Sequence, residues 1–151
     1  MSRIILDNKD YAIIKLIQAD ARMPFNEIAR KLKVSEGTVF NRLEKLKKAG
    51  IVKGFQAMID YELLGYEITA IIGLRVGSGM IPQVEAEVSK KPNVLAVYDV
   101  TGEYDALLIC RFKSRMQMND FIKSLLTIKY VERTNTYLVL NTVKENFSIN
   151  L

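Results

Sequence analysis

The 151-residue sequence predicts an α+β fold in two parts, a helical unit ending at Gly50 and a four-stranded sheet unit after it. Three observations carry this. Apolar residues recur at helical spacing as far as Gly50 and at extended spacing beyond it. From Glu67 onward the pattern runs strand, helix, strand, strand, helix, strand. Charge divides at the same place: residues 1–55 hold twelve Lys or Arg against six Asp or Glu, and residues 56–151 hold ten against eleven. The positive field therefore belongs to the first part, which suits a polyanion partner there and a different task for the rest.

The helical unit reads as three helices. Asp7 is placed to cap the first, Asp10 adds negative charge to its first turn, and Ile13, Leu16 and Ile17 give an apolar stripe. The second follows Pro24, a residue tolerated at a first helical position, and turns Ile28, Ala29 and Leu32 inward. Small Ala29 lets the next helix cross closely. That helix lies in KVSEGTVFNRLEKLKKAG (residues 33–50), with Ser35 as N-cap, Gly50 as stop, and Lys45, Lys47 and Lys48 complementing the dipole at its end.

At about 100° per residue, Val39, Leu43 and Leu46 share one arc and must face the first two helices. The opposite arc holds Gly37, Thr38, Asn41, Lys45 and Lys48, flanked by Glu36 and Glu44. Asn can pair with an adenine edge, Thr can meet a thymine methyl or a phosphate, and Gly37 and the Ser35 cap let the helix N-terminus approach a backbone. Arg42, at the border of the apolar arc, reaches either a phosphate or an internal hydrogen-bond partner. A solvated lysine face would explain the charge. It would not explain the helix, short turn and helix order with Ala29 and Val39 ten residues apart, which is the helix-turn-helix pattern whose second helix enters the DNA major groove. Lys33 departs from that pattern, standing where glycine is usual, so the turn either avoids positive φ or bears strain.

After Gly50, IVKGFQAMID reads as a strand and DYELLGYE as a connection. The domain boundaries expected are 1–50 for the helix-turn-helix, 51–65 for a linker strand and connection, and 66–151 for the sheet domain. A helical unit this small has a marginal core and is expected to lean on a partner. In the sheet domain ITAIIGLRV is a strand, Pro82 opens a helix with Ile81, Val84 and Val88 inward, and VLAVYDV and DALLICRF flank a turn around Gly102. Ser114 with Gln117 forms a capping box for a helix striped by Met118, Phe121, Ile122 and Leu125, and YLVLNTV lies in the last strand. The βαββαβ order is ferredoxin-like, a fold with many functions. An RNA-stacking module would need aromatics on its central strands, and DALLICRF and VLAVYDV lack that pattern.

Composition narrows the chemistry. The chain has no histidine, which removes the commonest general base and the commonest transition-metal ligand, so no metal, cofactor or catalytic site is expected. The one cysteine, Cys110, lies within ALLIC and reads as a buried, inert thiol. No apolar run nears the ~18 residues of a membrane span, and the early IIL is followed at once by DNKD, so no signal peptide is expected and the chain should stay in the cytoplasm.

Taken together, LDxxDxxII (residues 6–14), SxxTVxxRLxxLxxxGI (residues 35–51), a linker ending in LLGY and the turn TGEYD (residues 101–105) resemble the Lrp/AsnC, or feast/famine, family of prokaryotic transcriptional regulators over nearly the whole chain. The resemblance implies a homodimer formed through the sheet domains, assembled further into tetramers or octamers. It implies reading of half-sites in double-stranded promoter or operator DNA, for which the helix-face reading offers Ser35, Gly37, Thr38, Asn41, Lys45 and Lys48, with Arg42 if it takes the phosphate. It also implies a small effector, usually an amino acid, held around Gly102, Tyr104 and Asp105, with Thr134 and Thr136 of RTNTY as weaker candidates. The chemistry agrees: a glycine turn can expose N–H donors to a carboxylate, and Asp105 can accept from an ammonium. Gly102 as a plain turn glycine and Asp105 as a turn cap stand beside that reading. Two alternatives share the two-domain outline, a ligand-binding module acting on a protein partner and a tetrapyrrole-processing enzyme. The missing histidines and the retained positive helix weigh against the enzyme.

Overall fold

The structure is a computed structural model that describes residues 5–77, 79–149 and 151. The chain divides into two compact units, Met1–Met58 with Glu145–Leu151, and Ile59–Lys144.

The first unit contains α1 (Asn8–Ala19), α2 (Phe25–Leu32) and α3 (Glu36–Lys48). Asp7 caps α1 by accepting from the N–H groups of Lys9 and Asp10, and the Asp10 carboxylate accepts from the Asp7 N–H at 3.1 Å, a complete capping box. The buried stripe of α1 is Asp10, Ile13, Ile14 and Ile17. The expected stripe is thereby corrected at one position. Ile14 goes inward while Leu16 packs at the margin, because the arc facing two other helices is centred on the i, i+3, i+4, i+7 row that begins at Asp10. Ile28 and Ala29 of α2 and Val39, Leu43 and Leu46 of α3 complete this core.

Pro24 stands at the N-cap of α2 rather than inside its first turn. At the other end Lys33 has φ 52° and ψ 50°, and the Val34 N–H reaches back to the Ala29 carbonyl at 3.0 Å. Of the two outcomes open to a non-glycine residue here, the chain takes the left-handed one. The closing bond of the turn demands it, and the strain falls on Lys33.

The second unit contains β1 (Ile68–Val76), α4 (Ile81–Val88), β2 (Val94–Asp99), β3 (Ala106–Phe112), α5 (Arg115–Leu126) and β4 (Val131–Leu138). Its four strands lie in the order β2-β3-β1-β4, every neighbour antiparallel, as the ferredoxin-like reading requires. Alternate residues of the central strands, Ala70, Ile72 and Leu74 with Ala106, Leu108, Cys110 and Phe112, are buried with Val84 and Val88 of α4 and Phe121 and Leu125 of α5. Burial pushes the Cys110 thiol up to about 12, so it is inert at neutral pH.

Three local expectations are corrected. Residues 51–60 form no strand: among the described residues no ladder pairs them, and Phe55, Met58 and Ile59 are exposed. The last strand runs Val131–Leu138 and not through Val143, because its register with β1 closes at Ala70 opposite Leu138. At α5 Ser114 accepts from the Gln117 N–H, but the Gln117 side chain returns to the Lys113 N–H at 2.8 Å, one residue before the cap.

Candidate functional site

The α3 face begins at its N-terminus. The exposed Ser35 hydroxyl oxygen accepts from the Thr38 N–H at 3.1 Å and lies 2.8 Å from the Thr38 hydroxyl, which orders the first turn. Gly37 and Asn41 are exposed and Thr38 is half-buried. A Cβ placed on Gly37 would meet only the Ser35 Oγ, at 4.0 Å, so this end of the helix is open to close approach. Lys48 is exposed, and Lys47 is turned aside onto Glu44 at 3.0 Å. The Lys45 Nζ lies 3.8 Å from an Asp10 oxygen.

Arg42 takes the internal role. One Nη donates to both Asp7 oxygens and to Asp10 Oδ1, each at 2.8 Å, tying α3 to the capped end of α1. Asp10 is only 1% exposed, so its charge is out of water and depends on this partner. The hydrogen bond from Arg42 holds the Asp7 carboxyl below its ordinary value, helped by the Asp10 N–H, and the same bonds raise the guanidinium. The capping carboxylates of α1 thus fix the rotation of α3 about its own axis. That rotation turns the Gly37, Asn41 and Lys48 arc outward.

The same surface carries an exposed aromatic side chain. Phe40 is 51% exposed and meets Phe25 of α2 in an edge contact, ring centres 6.2 Å apart. The signal lay in the sequence, an aromatic residue outside the Val39, Leu43 and Leu46 arc in an otherwise polar helix.

In the sheet unit the TGEYD turn joins β2 to β3. Gly102 has φ +127°, a conformation that side-chain-bearing residues avoid. The turn is stitched to β1: the Asp105 N–H donates to the Leu74 carbonyl at 2.9 Å, and the Asp105 carboxylate accepts from the Val76 N–H at 2.8 Å. Asp105 therefore performs the capping role, with one oxygen committed to the backbone.

Tyr104 lies flat on Gly73 of β1, where a Cβ would come within 2.6 Å of its ring. Its hydroxyl accepts from Asn135 Nδ2 at 2.6 Å and faces the Tyr137 hydroxyl at 3.3 Å. Burial alternates along the strands, and Asn135 registers with Gly73, whereas Thr134 and Thr136 register with the buried Leu74 and Ile72. The five candidate effector residues consequently do not share a surface. Tyr104 stands on the sheet face away from the helices with Asn135 and Tyr137, and Thr134 and Thr136 turn toward the helix-covered side. Gly73, Asn135 and Tyr137 were missed because cross-strand register is not written locally.

Apart from the turn, Pro82, Glu85, Ala86, Ser89, Val97 and Asp99 line an open cleft of about 370 Å³ between α4 and β2. Burial raises the Glu85 carboxyl, and the Asp99 charge raises it further. Among the described residues no group of three or more His, Cys, Asp or Glu could hold a metal ion, and no helix is long and apolar enough to cross a membrane.

Comparison with known proteins bears on both units. Residues 6–53 match the winged helix-turn-helix DNA-binding family, and residues 69–149 match the Lrp/AsnC ligand binding domain. An HTH-type transcriptional regulator of Pyrococcus furiosus is 44% identical over 144 residues, covering 95% of this chain and 97% of that protein. The regulator FL11 of Pyrococcus horikoshii is 38% identical, covering 95% of each chain. Among solved structures, AsnC of E. coli superposes with a TM-score of 0.86 at 28% identity, covering 95% of this chain and 97% of that one. The Neisseria meningitidis regulator NMB0573, solved as an L-Met complex, gives 0.89 at 27% identity and covers 97% of each. These matches are to transcriptional regulators and not to enzymes, so the tetrapyrrole-processing alternative falls. The chain belongs to the Lrp/AsnC family of helix-turn-helix, DNA-binding transcriptional regulators.

Proposed function

We propose that this chain reads a two-fold-symmetric DNA site with α3 and responds to a small effector, an amino acid, through its sheet unit. The observation that carries the DNA half is the Arg42 tie to Asp7 and Asp10, which holds α3 with its polar arc outward. On that arc Asn41 reads a base edge, Gly37 and the Ser35 and Thr38 N-terminus approach a phosphate, and Lys45 and Lys48 supply phosphate contacts. Arg42 serves as the positioning residue. The functional division of the chain is 1–50 for reading, 51–65 for connection and 66–151 for effector binding and assembly. It acts in the cytoplasm, where its DNA lies.

Two-fold reading requires a homodimer whose recognition helices stand about 34–36 Å apart or a multiple of that, and dimers associate further into tetramers or octamers. The effector half rests on the exposed Gly102 turn, at a φ that favours glycine and of a kind that can present N–H donors to a carboxylate, and on the L-Met complex of the Neisseria relative. Tyr104 lines that turn. Asp105 contributes through its second oxygen, and Thr134 and Thr136, which register with the buried Leu74 and Ile72, fall outside that surface.

Thermal unfolding against each of the twenty amino acids tests the effector half. A true ligand at ~100 times its Kd raises stability by about 2.7 kcal/mol. Selection of bound duplexes from a random pool, followed by footprinting, tests the DNA half. A pseudo-palindrome protected in periodic steps is expected, and protection without two-fold symmetry at every protein concentration would refute it.

A further inference from the structure

The half-exposed Phe40 is not used by the polar contacts assigned above, and three observations bear on its purpose. Phe25 meets it edge-on at 6.2 Å with the ring planes at 60°, so its position is fixed by packing. Gly37, three residues earlier on the same helix, carries no side chain, and a Cβ there would meet only the Ser35 Oγ at 4.0 Å, so the helix surface one turn before Phe40 is open. It is also adjacent in sequence to Asn41 and about 100° from it around the helix, at the edge of the outward arc. A rigid apolar surface is thereby held beside the polar residues that face DNA.

The edges of base pairs in the major groove are polar except for one group, the C5 methyl of thymine. We propose that Phe40 is a specificity-determining residue that recognises the methyl of one thymine in each half-site. This rests on the DNA-reading proposal and extends it by a base that no hydrogen bond would select. Leaving this much apolar ring in water is unfavourable in the free protein, and covering it with a methyl recovers part of that cost.

The test uses the full-length chain and the duplex it enriches from a random pool. Each thymine in turn is replaced by uracil, which removes the methyl and leaves every hydrogen-bonding group in place. For the wild type, one position per half-site should lose about fourfold in affinity, corresponding to ~0.8 kcal/mol for one buried methyl. For Phe40→Ala the same replacement should have no effect, and Phe40→Leu should retain part of it. Far-ultraviolet circular dichroism and binding to unrelated DNA should be unchanged in both variants. Uracil effects that are equal in wild type and Phe40→Ala, or no uracil effect at all, overturn the assignment while leaving DNA reading intact. Enrichment of no sequence by the wild type overturns DNA reading itself, and this inference with it.

Discussion

The helical unit closes its core with a charge at the rim, Asp10 under Arg42, whereas the sheet unit keeps its core apolar throughout, down to the neutral thiol of Cys110. The contrast follows from size and task. Three short helices bury few side chains, and α3 must be held at one rotation for its outward residues to face a groove. Apolar contacts are non-directional and tolerate rotation; a guanidinium shared between two carboxylates does not. In the sheet unit register is already fixed by the strand ladders, so the core needs only volume.

The comparison can be broken by perturbing each unit separately. The largest effect is expected in the sheet unit, where Phe112→Ala removes a fully buried ring and should cost ~3–5 kcal/mol. Denaturant unfolding followed by amide exchange should place that loss within Ile59–Lys144. Arg42→Ala should cost about 2 kcal/mol in the helical unit, less than the ~3–5 of a fully buried pair, because Arg42 is partly exposed and Lys45, 3.8 Å from Asp10, stays behind as a more distant counter-charge. Equal exchange rates in wild type and Arg42→Ala would refute the tie. Gly73→Ala forces the Tyr104 ring off β1 and should cost ~1–3 kcal/mol, with altered tyrosine absorbance as the local readout.

Acid should sharpen the contrast. The Asp7 carboxyl is lowered in the folded state, so its contribution is complete above the ordinary value of 3.8 and is lost as pH falls through the folded value. Glu85 is raised, so its effect has the opposite sign: the sheet unit loses stability as pH rises through the folded value, and recovers it below the ordinary 4.5. Acid titration monitored by amide exchange should therefore open the helical unit first. The smallest effect belongs to Lys33→Gly, which relieves the left-handed strain and should stabilise the helical unit by ~0.5–1 kcal/mol. No gain in the midpoint would mean that the turn bears no strain.

How much was legible depended on the range of the interaction. The three helices, their caps and the Val39, Leu43 and Leu46 stripe follow from local spacing, and so does the βαββαβ order. The segment 51–60 was misjudged because its composition suits a strand, yet a strand exists only where another strand pairs with it. Asp10 was read as a first-turn charge because its burial depends on Arg42, far along the chain. Thr134 and Thr136 were grouped with Tyr104 by proximity in a motif, and the alternation of β4 puts them on the other side of the sheet.

By itself, then, the sequence determined what nearest-neighbour chemistry can: helix periodicity, turn glycines, the division of charge, and the motifs that mark the family. Only the tertiary structure decided that Arg42 ties α3 to α1, that Asp105 is spent on the Val76 N–H, and that Gly73 makes room for Tyr104. Each of these joins residues roughly thirty positions apart, where spacing carries no information and only packing brings the partners together.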